Sequence, residues 1–278
     1  MKAQRVVIGI AAALAMGTLA VPSVARANPA TAESAGAGYA GPARDITESP
    51  AMINGSQRFT SRNWDGYITY ASSESTDFSA VAATWIQPSV TCEAKGAWTV
   101  FWVGLDGWFN DTVEQGGTQA ECGSVGGTAA YSMWWEMYPT NSIQTVLAIH
   151  PGDKITASVK FAKATSEYTI KVKDATSGKS FTRQEQCASG LVCDRNSADV
   201  ITEDVGHYPG SGYFPLADYG TMGYTNAKVT DTAGASGSIS ASDWLNASVT
   251  ESAGTTTYAS VTPLSAQGSS FDAVWHHQ

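Results

Sequence analysis

The sequence predicts an all-β protein, an antiparallel β-sandwich formed by one domain. Three observations carry this. Segments such as Lys154 to Phe161 and Tyr168 to Lys173 alternate apolar and polar residues with period two. Gly- and Asn/Asp-containing turn signals recur along the chain from Phe59 onward. No amphipathic helical pattern is sustained for more than two turns, so nothing supplies crossover helices for a parallel sheet. Hydrophobic residues make up 43% of the 278 residues, which excludes a wholly disordered chain.

The elements follow in order. Lys2 and Arg5 precede an apolar run from Val6 to Val21, and Ala25-Arg26-Ala27 is a small-x-small cleavage site. Residues 1–27 therefore read as a signal peptide and the protein as secreted and extracellular. Residues 28–58 are rich in Ala, Gly, Ser and Pro without an apolar period. They read as a disordered linker or short propeptide. The folded domain is expected over 59–278. Within it Thr99 to Val103 is a strongly β-prone run. In Tyr168 to Lys173, Tyr168, Ile170 and Val172 face one way and Thr169, Lys171 and Lys173 the other. Six lysines between Lys154 and Lys179 read as the solvated edge of a sheet. Four cysteines suit an oxidising compartment. Cys187 and Cys193 bracket a short loop and are expected to pair, which leaves Cys92 with Cys122; spacing alone leaves three pairings open.

Composition narrows the function. Sixteen Lys and Arg face 25 Asp and Glu, a net charge of -9. Phosphate neutralisation is a poor prospect, so neither nucleic acid nor an anionic membrane is an expected partner. No apolar run after the first approaches the roughly 20 residues of a membrane span. Charged residues amount to only 15%. A chain with few basic groups gains little positive charge in acid, so the composition suits low pH. There is no G-x-S-x-G, no H-E-x-x-H, no Asp-[Ser/Thr]-Gly pair and no glycine-rich phosphate loop. Histidines are few, and no cysteine or histidine cluster suggests a metal, so no cofactor is expected. Catalysis is left to carboxylates and amides.

Six short motifs carry the candidates: Asn63-Trp64-Asp65-Gly66-Tyr67, Thr84-Trp85-Ile86-Gln87-Pro88-Ser89, Trp102-Val103-Gly104-Leu105-Asp106-Gly107, Val113-Glu114-Gln115-Gly116-Gly117, Trp134-Trp135-Glu136-Met137-Tyr138-Pro139 and Ala198-Asp199-Val200-Ile201-Thr202-Glu203-Asp204. Each is weak alone. In this order and spacing the set resembles the glutamic peptidases, or eqolisins, with a likeness spanning roughly 59–278. The resemblance implies a concanavalin A-like, jelly-roll β-sandwich and a pepstatin-insensitive acid endopeptidase with a Gln/Glu dyad. Gln115 matches the family's catalytic glutamine, in a Leu-Gln-Thr-Gly-like turn. Glu203 matches its catalytic glutamate, and Trp64, Trp102, Asp106 and Glu136 match supporting or substrate-binding positions.

The dyad makes chemical sense. Peptide hydrolysis needs an activated water, a proton donor for the leaving amine and a donor for the oxyanion. One carboxylate can act as base and then acid, and a primary amide can hold water and donate to the oxyanion. The sequence departs from the family at Glu114, where an apolar residue is usual, at Gly116 in place of Thr, and at Gln119 in place of an acid. Glu114 is expected to raise the pKa of Glu203 if the two are close. Gly116 is expected to loosen the turn. Residues 28–58 hold only Arg44 and Arg58 as basic groups, which argues against a basic inhibitory prosegment like that of fungal members. The expected partner is a polypeptide substrate, and the protein a monomer. Two alternatives remain open: a retaining glycoside hydrolase using Glu136 and Glu203, and a non-catalytic lectin-like module.

Overall fold

The computed structural model describes residues 37–53, 56–71, 77–207 and 212–277. The expected signal peptide, and residues 28–36 after it, lie outside the described residues. The described residues form strands and no helix. In chain order the strands begin with β1 (Gly38–Tyr39), β2 (Thr47–Ile53), β3 (Ser56–Ser61), β4 (Trp64–Tyr70), β5 (Phe78–Ile86), β6 (Trp98–Leu105) and β7 (Val113–Cys122). Next come β8 (Ala129–Tyr138), β9 (Gln144–Ala148), β10 (Lys154–Ala162), β11 (Glu167–Asp174), β12 (Ser180–Gln186) and β13 (Ser197–Asp204). The last are β14 (Gly206–His207), β15 (Thr221–Asp231), β16 (Ser236–Gly237), β17 (Leu245–Ala253), β18 (Thr256–Val261) and β19 (Phe271–Trp275).

Two layers result. One runs β2-β3-β17-β4-β13-β6-β7-β8-β9, and the other β12-β11-β10-β5-β15-β19-β18. The β17–β18 hairpin joins them. All pairs are antiparallel except β17 with β3. Alternation decides what lies between the layers. From the first layer come Tyr67, Phe101, Val103 and Val200; from the second, Val81, Trp85, Ile155, Ile170, Val172 and Tyr224. Lys171 and Lys173 alternate with these and are exposed. They sit one strand in from the edge rather than on the expected sheet edge, because β12 pairs outside β11.

The first layer is apolar on both faces. Its outward side carries Trp64, Ile68, Trp98, Val100, Trp102, Val113, Trp134, Ile201 and Val249 as a second cluster. A sheet face this apolar needs a cover, and part of it comes from an unexpected source. The described part of the presumed linker is not disordered. β1 pairs with β14, β2 with β3, and Ala40 and Ala43 join the outward cluster. Small residues without an apolar period lie flat on the sheet, which is why composition misread them.

Glycines 116 and 117 are packing positions, and the stretch around Gln115 is a strand, not the expected turn. A Cβ on Gly117 would lie 1.9 Å from the Phe101 carbonyl oxygen, and one on Gly116 2.5 Å from Ile170 Cγ2. Two disulfides are present: Cys92–Cys122 joins the β5–β6 connection to the end of β7, and Cys187–Cys193 closes a loop between β12 and β13.

Carboxyls are buried inside the fold in unusual number. Asp65 lies beside the Tyr219 hydroxyl, and burial pushes it well above the ordinary carboxylate range. Burial also raises Glu251 and Asp204 strongly, against the pull of Arg62, which sits 3.4 Å from Asp204 and 3.7 Å from Glu251. Glu114 faces Asp106 within hydrogen-bonding reach, and burial and that neighbour hold it high. Its side chain lies on the face opposite Gln115, so the closeness to Glu203 on which the sequence expectation depended is not met.

Two outcomes follow from this packing. Gly117→Ala should lower the urea midpoint by an amount equivalent to about 3 kcal/mol, since strands β6 and β7 cannot separate locally to admit a methyl group. Folded-state carboxyl pKa values are raised, so between the unfolded values near ~4 and the folded ones the native state binds more protons. Their stabilising effect is complete in acid and is lost as pH rises through the folded pKa values. The thermal midpoint should therefore fall from pH 4 toward 7, and Asp65→Asn should flatten that slope.

Candidate active site

The outward face of the first layer is where the candidate residues meet. β13 lies between β4 and β6, with Glu203 opposite Trp64 on one side and Val100 on the other. β6 pairs with β7, and β7 with β8, setting Gln115 opposite Gly104 and Glu136. Alternation then points Glu203, Trp102, Gln115 and Glu136 to one side, with Ile201, Val113 and Trp134. Each of the four is fully buried.

Glu203 is surrounded by donors. Asn63 Nδ2 donates to Oε1 at 3.0 Å, and Trp102 Nε1 donates to Oε2 at 2.9 Å. The Gly41 backbone N–H faces the carboxylate and also lowers its pKa. Burial nevertheless dominates and holds the group well above the usual glutamate range, with the three donors pulling down. Burial likewise raises Glu136, and the nearby Glu203 adds to this, while the Ala40 N–H opposes it at 2.9 Å from Oε2. Gln115 Nε2 donates to the Ala40 carbonyl and, at 3.4 Å, to Glu136 Oε2.

The elements at this face read a stretch of main chain. Trp64 Nε1 donates to Gly41 O at 2.9 Å, and Asn63 Nδ2 to Pro42 O at 3.2 Å. Asn63 Oδ1 accepts from Arg44 N, and Gly107 O from Ala43 N. Trp64 and Trp102 also stack edge to face, 5.0 Å between centroids. A cavity opens beside Gly41, bordered by Pro42, Asn63, Glu203 and Tyr213. Arg62 lies over the Tyr213 ring at 4.5 Å.

Asp106 stands apart. It adopts a positive φ of 68° before Gly107, and its Oδ1 accepts from Asn196 N at 2.9 Å. It pins the β6–β7 connection to the chain before β13 and touches neither Gln115 nor Glu203. Gln119 donates to Thr145 Oγ1 at 3.1 Å, away from the dyad. Asn63 was missed as a site residue although it opens the first motif. Its amide, next to Trp64 before a strand, was the available signal. The covering segment 38–44 left no signal in its composition. Among the described residues no cluster of three or more His, Cys, Asp or Glu side chains is arranged to hold a metal ion.

The model of the peptidase A4 family matches residues 62–271, a span that contains both Gln115 and Glu203. Aspergillopepsin-2 of Aspergillus niger is 32% identical over 133 residues, which make up 46% of this chain and 45% of that protein. The chain thus aligns with about half the length of this curated relative. Scytalido-glutamic peptidase, solved with a transition-state analogue inhibitor, superposes with a TM-score of 0.64 at 24% identity, over 77% of this chain and 98% of that one. Aspergilloglutamic peptidase from Aspergillus niger gives 0.53 at 23% identity, over 65% and 99%. At these identities the two structures establish a shared β-sandwich fold, and the family match over most of the sequence adds kinship: the chain belongs to the peptidase A4 family.

Proposed function

We propose that this protein is a secreted, monomeric acid endopeptidase that cuts polypeptides with Gln115 and Glu203. One observation carries the reading. Gln115 donates to the carbonyl oxygen of the Ala40–Gly41 peptide bond, and Glu203 and Gly41 border one cavity beside it. A carbonyl donor and a carboxyl group beside one peptide unit are the two functions that amide hydrolysis requires.

In the proposed mechanism Glu203, as carboxylate, takes a proton from water and the oxygen adds to the carbonyl carbon. Gln115 Nε2 stabilises the oxyanion, and Gln115 Oε1 is an acceptor that orients the water. Glu203 then returns the proton to the leaving nitrogen. Trp102 and Asn63 hold the carboxylate oxygens in place, and Glu136 holds the Gln115 amide and the substrate N–H. Trp64 binds a substrate carbonyl. Asp106 supports the loop beside the site. The dyad is not a pair of aspartates, so pepstatin insensitivity is expected; activity is expected in acid, with an acid limb above the unperturbed glutamate value of ~4.3 because burial raises Glu203. The pair of disulfides suits secretion.

Main chain on the dyad favours a peptide over a sugar ring, and so weighs against a glycoside hydrolase using Glu136 with Glu203 and against a lectin-like module. The protein should hydrolyse acid-unfolded casein between pH 2 and 6 with pepstatin present. Glu203→Gln and Gln115→Ala should each lower kcat/KM by about 1,000-fold or more with folding intact. A folded protein inactive at every pH, after any covering segment is removed, would overturn the reading. Trp102→Phe, which deletes one donor to Glu203, should lower kcat roughly tenfold and shift the acid limb of the pH profile upward.

A further inference from the structure

We propose that the outer face of the second layer binds a linear anionic polysaccharide through a row of lysines set at regular steps. This face lies across the sandwich from Gln115 and Glu203, whatever chemistry those two perform. Sheet register builds the row. Lys160 stands opposite Thr169, Ser158 opposite Lys171, and Thr156 opposite Lys173. Alternation turns all of these outward, because Val159, Ile170 and Val172 between them fill the core. Lys160 is therefore diagonal to Lys171, and Lys173 is diagonal to Lys154. Diagonal neighbours on a sheet stand about 7–8 Å apart, and Lys171 and Lys173, two residues apart on one strand, about 7 Å. Lys160, Lys171, Lys173 and Lys154 thus follow one another in even steps over about 20 Å. All four are exposed. Lys228, on β15, is exposed on the same face, opposite Ala82, which in turn stands opposite Ser158.

The sign of the charge points to a partner. The chain carries 25 Asp and Glu against 16 Lys and Arg. A solvated surface mixes both signs, and on this chain it should favour acids. Here no carboxylate interrupts the row between Lys160 and Lys154. Glu167 stands at the far end of β11, where Gln184 donates to it at 2.6 Å. Among the described residues the ion pairs are made by Arg44, Arg62, Arg183, Arg195 and His150, and by none of these lysines. The whole-chain sum conceals a face of one sign.

The neighbours of the lysines decide the class of polyanion. Between Ala80 and Ile86 on β5, and along β10 and β11, no aromatic side chain points outward. Single-stranded nucleic acid is usually held on aromatic stacking platforms, which this face lacks. An interfacial membrane site buries an apolar face, and Ile86, 52% exposed opposite Lys154, is one such side chain only. What lies beside the lysines is small or carries a hydroxyl: Ala82, Thr156, Ser158 and Thr169. The hydroxyls suit a hydroxyl-rich chain, the small side chains let it lie flat, and the ammonium groups meet its carboxylate or sulfate groups. A protein held this way keeps the face that carries Gln115 and Glu203 turned away from the polymer.

The test is titration calorimetry at about pH 5 of the purified chain carrying residues 28–278, against sodium polygalacturonate, dextran sulfate and uncharged dextran. One or both polyanions should bind and uncharged dextran should not, and the contrast between the two tells which acid the face takes. Raising NaCl from about 50 to 200 mM should weaken binding about 50-fold, as for four neutralised charges. Lys154→Gln, Lys160→Gln, Lys171→Gln and Lys173→Gln combined, folded by circular dichroism, should lower affinity by a similar factor. Lys171→Gln with Lys173→Gln alone should about halve the salt slope. Lys95→Gln, in the β5–β6 connection, should bind as the parent does. Equal affinity in the folded fourfold variant, or no binding of either polyanion by the parent in low salt, overturns the proposal. So does tighter binding to oligo(dT) or to phosphatidylserine vesicles, which would give the face to a nucleic acid or a membrane. A dimer that is lost in the fourfold variant overturns it as well, giving the face to a second copy of the chain.

Discussion

Carboxyl groups without enough cations around them are the constraint on which this structure turns. Burial of an ionised carboxylate is costly unless donors or opposite charge compensate it. Here Asp65, Glu114, Glu136, Asp199, Glu203, Asp204 and Glu251 are all buried, and Arg62 is the cation set against Asp204 and Glu251. Burial raises the pKa of every one of these carboxyls, and at several of them neutral donors offset part of the rise. Ser197 serves Asp199 at 3.0 Å, while Asn63 and Trp102 serve Glu203. A protein built this way is matched to acid, where the remaining carboxyls are protonated and cost least. Its low content of basic residues has the same sense: acid adds little repulsion.

The doubly apolar sheet is the second organising feature. Interior strands of an antiparallel sandwich commonly wet one face. β4, β6 and β13 are buried along their whole length because the second layer packs on one side and residues 38–44, with Trp108 and Phe214, cover the other. A site placed on the covered face is dry. Electrostatic interactions there are stronger than in water, which suits a mechanism that depends on one carboxyl and one amide. The cover matters for the same reason: main chain occupies the dyad face, with a cavity open beside Gly41 and Glu203.

Much of the fold was legible. Period-two alternation in β10 and β11 anticipated Tyr168, Ile170 and Val172 inside, and the ordered motifs located Gln115, Glu203, Trp102 and Glu136 on strands that turn out to share one face. Other parts were not legible, for identifiable reasons. Gly116 and Gly117 look like a turn because glycine usually marks one; here they permit close approach of β7 to Phe101 and Ile170. Asp106 stood in a motif beside Trp102, yet its positive φ carries it out of the strand and into a loop contact with Asn196. Glu114 was adjacent to Gln115 in sequence and therefore, by alternation, on the opposite face.

By itself the sequence determined the fold class, the strand periodicity and the family, because these depend on local alternation and on residue order along the chain. Tertiary structure alone decided which groups meet. Gln115 and Glu203 lie on β7 and β13, with β6 between them, and alternation turns both side chains to the face that residues 38–44 cover. The stretch Ala40-Gly41-Pro42-Ala43 that lies over them is alanine, glycine and proline, whose binding information lies in the backbone. Backbone groups are the same in every sequence, so their partners become visible only once the sheet has placed Asn63, Trp64, Gln115, Glu136 and Glu203 around them.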